Sequence, residues 1–163
     1  MREIIGICEH EHARLTSLME SAARALGGPD IGQANRSIES LARRLKTHFA
    51  IEEELCFPAW TTGSRAHGTE FIQSLTRDHA MICECVENAH ARFSEGEFRL
   101  AQSELDQLRH LFANHVTQTE NVVYPVCARV MIPGNSGIPP TERARYLNAA
   151  MFHDQPAAER VAA

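Results

Sequence analysis

A pair of histidines separated by 36 residues occurs twice in this chain, as His12 and His48 and again as His79 and His115. Each histidine of the second pair follows its counterpart by 67 residues, which indicates a tandem repeat. The surrounding residues repeat as well: Glu11-His12-Ala13-Arg14-Leu15 matches Asp78-His79-Ala80-Met81-Ile82, and His48, Glu53 and Phe57-Pro58 match His115, Glu120 and Tyr124-Pro125. Imidazoles and carboxylates that recur together predict a metal site at a pseudo-twofold axis, because iron, manganese and zinc take such ligands.

The spacing of the apolar residues predicts an all-α fold. Apolar residues fall at alternating steps of three and four in four long segments, which is the period of helices that bury one stripe. The predicted helices cover residues 3–26, about 32–58, 69–94 and a segment after residue 96. Short connections between long helices favour antiparallel neighbours, so we expect an up-down-up-down four-helix bundle.

Proline and glycine mark the predicted boundaries. Residues 61–68 are predicted to form a loop, and Pro58 and Pro125 are expected to end or kink their helices. Residues 1–131 form the predicted bundle domain, and residues 132–163 a C-terminal extension. The extension opens with a linker rich in proline and glycine, and residues 141–152 could form a short amphipathic helix.

Composition excludes several classes of partner. The chain of 163 residues has a net charge of −5 and no long basic run, so neither nucleic acid nor an anionic lipid surface is an expected partner. No stretch approaches the roughly 18 apolar residues of a membrane span, and charges interrupt the first residues where a signal peptide would be apolar. Five irregularly spaced cysteines then indicate reduced thiols and a cytoplasmic protein.

The four histidines are more informative together than singly. One histidine on an apolar helix face is usually a hydrogen-bonded core residue, but an antiparallel bundle can bring all four into one volume. Burying them with carboxylates is costly for every unpaired charge. A bound cation removes this cost, because it compensates the carboxylates and uses the nitrogen lone pairs. The pattern therefore favours a metal site over simple packing.

The carboxylates differ in how easily they can reach such a site. Glu52 lies four residues after His48, on the same helix face, and Glu53 is one step further round. In the fourth helix the four-step position is Thr119, a poor ligand, and the carboxylate is Glu120 at the fifth step. Either a π-bulge turns Glu120 inward, or Glu120 stays outside and the site has one carboxylate fewer.

Over residues 1 to about 130 the chain resembles the hemerythrin-like, HHE cation-binding proteins. The matching elements are Glu11-His12 with Leu15 and Leu18, His48 to Glu53 with Phe57-Pro58, Asp78-His79, and His115 with Glu120 and Tyr124-Pro125. Proteins of that family bind two non-haem irons in a four-helix bundle, with histidines as terminal ligands and two bridging carboxylates. The resemblance implies that His12, His48, His79 and His115 are terminal ligands and that Glu52 and Glu120 are bridges. The five-residue step from His115 to Glu120 also resembles oxygen-carrying hemerythrins, which favours the bulge.

The chain departs from the oxygen carriers at one position. They have a second histidine one turn after the first in the third helix, where this chain has Cys83. Cys83 is either a thiolate ligand or a small buried residue beside an iron with an open position. An open position or a thiolate ligand argues against a plain reversible oxygen carrier.

These features predict a cytoplasmic di-iron protein that binds or reduces dioxygen, peroxide or nitric oxide. The ions would lie in an apolar sleeve that controls access and potential. The residues predicted to form the sleeve are Leu15, Leu45, Leu55, Ile82, Phe112 and Val122. One alternative is an iron sensor, storage or delivery module without turnover, and another is a metal-free thiol switch.

Overall fold

The structure is a computed structural model that describes residues 2–63 and 68–130. Within these residues the chain is almost entirely helical and contains no strand. The helices are α1 (Arg2–Leu26), α2 (Ile31–Ile51), α3 (Phe57–Gly63), α4 (Gly68–Ser94), α5 (Phe98–Gln118) and α6 (Tyr124–Val130). Two π-helical turns, Glu52–Cys56 and Thr119–Val123, join α2 to α3 and α5 to α6. The described residues thus form four long helical segments.

The four segments pack in a ring. α1 packs against α2, α2 against α4, α4 against α5, and α5 against α1. This arrangement confirms the predicted all-α four-helix bundle. Two apolar clusters fill its interior, one containing Leu15, Leu45 and Phe112 and the other containing Leu75 and Trp60. The repeated histidines occupy the layer between these two clusters.

Local signals in the sequence explain two of the helix ends. Asp30 caps α2, because its side chain accepts a hydrogen bond of 2.9 Å from the backbone N–H of Gln33. After α4, Gly96 has a φ of 80°, which glycine adopts without the steric cost of a side chain. The backbone N–H groups of Gly96 and Glu97 then bond to the carbonyls of Phe93 and Arg92, which closes the helix end.

The prolines were predicted to end or kink their helices, and the first of these outcomes is wrong, while a kink stays a prediction. Helical structure continues past Pro58 to Gly63 and past Pro125 to Val130. Each proline follows closely on a π turn, where the helix is locally wider and accepts a residue that lacks an N–H. For the same reason the predicted loop begins too early, since Thr61 to Gly63 are still helical.

One predicted sleeve residue faces outward. Val122 is 43% exposed, whereas its neighbour Val123 is fully buried. Both residues lie in the second π turn, which adds a residue to the turn and shifts the buried stripe by one position. The other five predicted sleeve residues are buried.

A buried ion pair fastens α1 to α2 beside the histidine layer. The carboxylate of Glu11 accepts two hydrogen bonds from the guanidinium of Arg44, at 2.8 Å and 2.7 Å. Both side chains are 7% exposed, so the pair lies inside the bundle. Glu11 adjoins His12, and Arg44 lies one turn before His48. The ion pair therefore fixes the relative position of the two helix segments that carry these histidines.

No helix among the described residues is both long enough and apolar enough to cross a membrane. The predicted linker and short helix of residues 132–163 lie outside the described residues, so the two-part division of the chain stays a prediction.

Candidate metal centre

The structure brings the four repeated histidines to one level of the bundle, as two pairs. The ring centroids of His12 and His48 are 4.7 Å apart, and so are those of His79 and His115. Between the pairs the separations are larger, at 6.0 Å for His12 and His115 and 6.4 Å for His48 and His115. The tandem repeat thus produces two similar imidazole pairs, one from each half of the chain.

Glu52 lies between the two pairs and is fully buried. Its Oε2 is 3.0 Å from the Nε2 atoms of both His79 and His115 and 3.6 Å from the Nε2 of His48. Its Oε1 is 3.8 Å from the Nε2 of His12. One ligand atom from each of His12, His48, Glu52 and His115 falls within 4.8 Å of the others, which is a spacing that could hold a cation.

The charges in this layer depend on one another. Burial on its own would raise the pKa of Glu52, but the His48 imidazole and hydrogen bonds from the other histidines hold that pKa well below its usual value. Burial likewise opposes the charging of His12, yet the nearby Glu52 carboxylate and a hydrogen bond to Glu120 outweigh it and raise the pKa of His12. Glu52 is therefore an anion that attracts positive charge to the centre of the bundle.

Several ring nitrogens in this layer lack a hydrogen-bond partner among the described residues. They are both nitrogens of His48 and the Nδ1 of His115. A buried polar atom without a partner is costly, and proteins rarely retain one without a reason. Coordination of a cation by a ring nitrogen would satisfy its lone pair, so the residues present fit a metal ion.

Two further carboxylates contact the outer nitrogens of one histidine in each pair. The Nδ1 of His12 donates to Oε1 of Glu120 at 2.8 Å, and the Nδ1 of His79 donates to Oε1 of Glu53 at 2.7 Å. Glu53 and Glu120 occupy equivalent positions in the repeat. A carboxylate on Nδ1 fixes the ring and directs its Nε2 inward, as is common for histidines that bind metals.

The sequence left open whether a π turn directs the Glu120 side chain into the site. The π turn that would direct Glu120 inward is present, together with a second π turn at Glu52–Cys56 that was not predicted. However, Thr119 is the fully buried residue, whereas the Glu120 side chain is 38% exposed and reaches His12 from outside. The structure thus brings Glu52 among the imidazoles and places Glu120 at their edge, and a ligand role for Glu120 stays a prediction.

Tyr124 is the site residue that the sequence analysis missed. Its ring stacks on His12 at 5.7 Å, and its hydroxyl donates to Oε1 of Glu52 at 2.5 Å and lies 3.3 Å from the Nε2 of His12. The equivalent residue, Phe57, stacks on His79 at 5.3 Å. The sequence does contain a signal for this role, because Tyr124 stands where the other half of the repeat has Phe57. A buried tyrosine hydroxyl needs a hydrogen-bond partner, which phenylalanine does not.

Among the described residues, the cluster that could hold a cation includes none of the remaining candidates. Cys83 is partly buried, and burial raises the pKa of its thiol beside Lys46 and Glu87. His10 and His110 are exposed. His67 and His153 lie outside the described residues. Whether Cys83 binds a metal therefore stays a prediction.

Acid is expected to destabilise the metal-free protein through His48. Burial lowers the pKa of His48 from 6.5 to about 3. In the unfolded chain His48 becomes protonated below pH 6.5, whereas in the folded chain it stays neutral until about pH 3. The free energy of unfolding therefore decreases as the pH is lowered from 6.5 to 3. The loss between pH 6.5 and pH 5 is about 2 kcal/mol. Urea unfolding at the two pH values, with a chelator present, measures it.

Other groups do not reverse this trend. His12 has a raised pKa, so its stabilising contribution is already complete below pH 6.5, and Glu52 loses its contribution only in stronger acid. The variant His48→Gln removes the titrating group and should flatten the dependence. A wild-type protein as stable at pH 5 as at pH 6.5 would contradict the burial of a neutral His48.

Comparison with known protein families agrees with this geometry. The family model for the hemerythrin HHE cation-binding domain matches residues 3–127, which include every histidine and carboxylate of the centre. No curated protein matches the chain significantly, and neither does any solved structure. Since the match covers most of the chain, the protein belongs to the hemerythrin HHE cation-binding domain family.

Proposed function

We propose that this protein holds two non-haem iron ions between the imidazole pairs and uses them to bind or reduce dioxygen, peroxide or nitric oxide. The observation that carries the proposal is the buried anion Glu52, which faces the Nε2 atoms of four histidines. A lone anion in an apolar bundle is costly, and cations beside it would remove that cost.

The pairing of the imidazoles favours two ions over one. His12 with His48 could hold one ion and His79 with His115 the other, because each pair has ring centroids 4.7 Å apart. Glu52 lies between the pairs and has two oxygens, so it could bridge the ions. The alternative is a single ion held by His12, His48, Glu52 and His115, whose ligand atoms come within 4.8 Å of one another.

Iron suits the mixture of donors. Imidazole nitrogen and carboxylate oxygen are ligands that ferrous and ferric iron accept, whereas a structural zinc site usually has four ligands and no open position. Iron is also the metal that the resemblance to hemerythrins implies. When bound, ferrous iron would supply electrons and an open coordination position for a small oxidant.

Glu53 and Glu120 have a proposed positioning role. Each accepts a hydrogen bond from the outer nitrogen of a histidine, which keeps the inner Nε2 available as a ligand. For Glu120 the resemblance implies a bridging role instead, which would require its side chain to leave His12 and turn inward. The variants described in the Discussion separate these two roles.

The surroundings of the site favour a small ligand. A surface cleft between α1 and α5 is lined by Thr16, Met19 and Phe112. The ring of Phe112 also contacts His12, with the centroids 5.8 Å apart. We propose that a small molecule reaches the centre past this ring, close to the Tyr124 hydroxyl that donates its proton to Glu52. A large substrate would have to separate packed helices.

Turnover by the iron-loaded protein tests the proposal. The protein is loaded with Fe(II) under anaerobic conditions and mixed with hydrogen peroxide or nitric oxide and an external reductant. We expect many equivalents to be consumed per chain, and His48→Ala to abolish this consumption because it loses a ligand. His10→Ala alters an exposed histidine away from this cleft and should behave as wild type.

The outcome also separates the alternative function. Stable iron binding without repeated turnover would contradict a reductase and support a sensor, storage or delivery module. Equal consumption by His48→Ala and wild type would contradict the assignment of the site itself.

A further inference from the structure

Three cysteines meet in the interior beside the metal centre. Cys8 and Cys127 are fully buried, and Cys56 is 1% exposed. Cys8 lies four residues before His12 on α1, and Cys56 lies four residues after Glu52. We call Cys8, Cys56 and Cys127 the three-thiol cluster. It belongs to the apolar cluster at the end of the bundle that also contains Tyr124.

The thiols contact one another and the tyrosine of the site. The Cys127 thiol donates to the carbonyl oxygen of Cys56 at 3.1 Å. Hydrogen bonds with the thiols of Cys127 and Cys8, together with burial, raise the pKa of Cys56 well above its usual value. Burial and the Glu52 carboxylate raise the pKa of the Tyr124 hydroxyl well above its usual value, and Cys8 and Cys56 lie close enough to contribute. Contacts therefore run from the thiols through Tyr124 to Glu52.

The fold does not require cysteine at these positions. The equivalent residues in the other half of the repeat are Leu75 for Cys8, Val123 for Cys56 and Trp60 for Cys127. These equivalents are buried in the same apolar cluster. Apolar side chains thus fill the same kind of space, and the convergence of three thiols beside the centre needs another explanation.

We infer that the three-thiol cluster is an internal two-electron reductant for the peroxide that the metal centre receives. This inference rests on the proposed function. Cys56 and one neighbour, Cys8 or Cys127, would each give up a proton and an electron, and a bond forms between their sulfurs. One hydrogen peroxide molecule would accept the two protons and two electrons, its O–O bond would break, and two water molecules would form. An external thiol reductant would then restore the dithiol.

Burial makes this coupling specific. A thiolate that peroxide can reach is the form that reacts fast, whereas all three of these thiols are hidden from solvent. Peroxide in solution should therefore oxidise them slowly by direct attack. Oxidation through the neighbouring centre would be faster, and would occur only when iron is bound.

The test counts thiols and maps disulfides after two equivalents of peroxide per chain, because two ferrous ions can themselves supply the two electrons that reduce the first. Protein loaded with Fe(II) under anaerobic conditions receives hydrogen peroxide, is denatured in a thiol-blocking reagent and is digested with trypsin. The three cysteines fall in separate tryptic peptides, residues 3–14, 47–65 and 110–129. We expect two thiols per chain to disappear and one disulfide to link peptide 47–65 to another of these peptides. Metal-free protein should lose its thiols at least about ten times more slowly.

Two variants complete the design. Cys56→Val introduces the residue found at the equivalent position of the repeat, so it should fold and bind iron but form no disulfide. Cys85→Ala alters a buried cysteine of the other apolar cluster and should leave the disulfide unchanged. Circular dichroism and iron content confirm that each variant is folded and loaded.

The outcomes distinguish this inference from the function on which it rests. Peroxide consumption with all thiols retained would overturn the inference and leave the proposed function standing. Equal thiol loss with and without iron would also overturn it, because the thiols would then react directly. Iron-loaded protein that neither consumes peroxide nor loses thiols would overturn both.

Discussion

Glu52→Gln is expected to weaken metal binding by more than about 100-fold while the bundle stays folded. Residues that only position a metal ligand typically contribute 10- to 100-fold to affinity, and Glu52 is the buried anion at the centre of four imidazoles. Glutamine has nearly the same shape and can still accept the hydrogen bond from Tyr124. Competition with a chelator of known affinity measures the change, and circular dichroism checks the fold.

Glu53→Gln and Glu120→Gln are the matched comparisons. Each carbonyl can still accept the hydrogen bond from a histidine Nδ1, so a purely positioning role predicts only a small loss of affinity. If Glu120 bridges the ions, Glu120→Gln should instead lose one ion per chain and Glu53→Gln should not. A Glu52→Gln variant that binds both ions as tightly as wild type would contradict the central role of Glu52.

Glu11→Ala is expected to lower the free energy of unfolding by about 3 to 5 kcal/mol. Removing one partner of a buried ion pair has this effect because the charge that stays buried loses its carboxylate partner. Glu11 accepts two hydrogen bonds from Arg44, and both side chains are almost completely buried. Urea unfolding at pH 7 with a chelator present measures the change without a contribution from metal binding.

Glu87→Ala is the control for this effect. Glu87 pairs with Lys46 at 2.8 Å, but both side chains are about 60% exposed. Exposed pairs contribute little to stability, because water and salt screen them, so we expect a much smaller loss than for Glu11→Ala. Similar losses from Glu11→Ala and Glu87→Ala would show that the Glu11 pair is not buried in solution.

The bundle could be predicted from the sequence because its signal is repeated along every helix. Stripes such as Leu41, Leu45 and His48 on α2 keep the period of 3.6 residues over several turns, and one face of each helix is buried as expected. The histidines follow the same stripe, so their depth in the bundle was predictable too. Proline predicted the helix ends less well, since Pro58 and Pro125 lie within continuing helices.

The details of the site were less predictable because they depend on the two π turns. A single extra residue in a turn rotates everything that follows, and it exposes Val122 and buries Val123. No simple sequence period marks such a turn. The contacts of Glu53 and Glu120 with histidines of neighbouring helices also require the packed structure, because helical spacing relates only residues of the same helix.

The most direct measurement is a crystal structure of the iron-loaded protein with anomalous scattering collected at the iron edge. We expect two peaks, one between His12 and His48 and one between His79 and His115, with Glu52 in contact with both. The ring nitrogens should lie at roughly 2.0 to 2.3 Å from the ions, as in other protein metal sites. Absence of any iron peak among these four imidazoles would contradict the proposed centre.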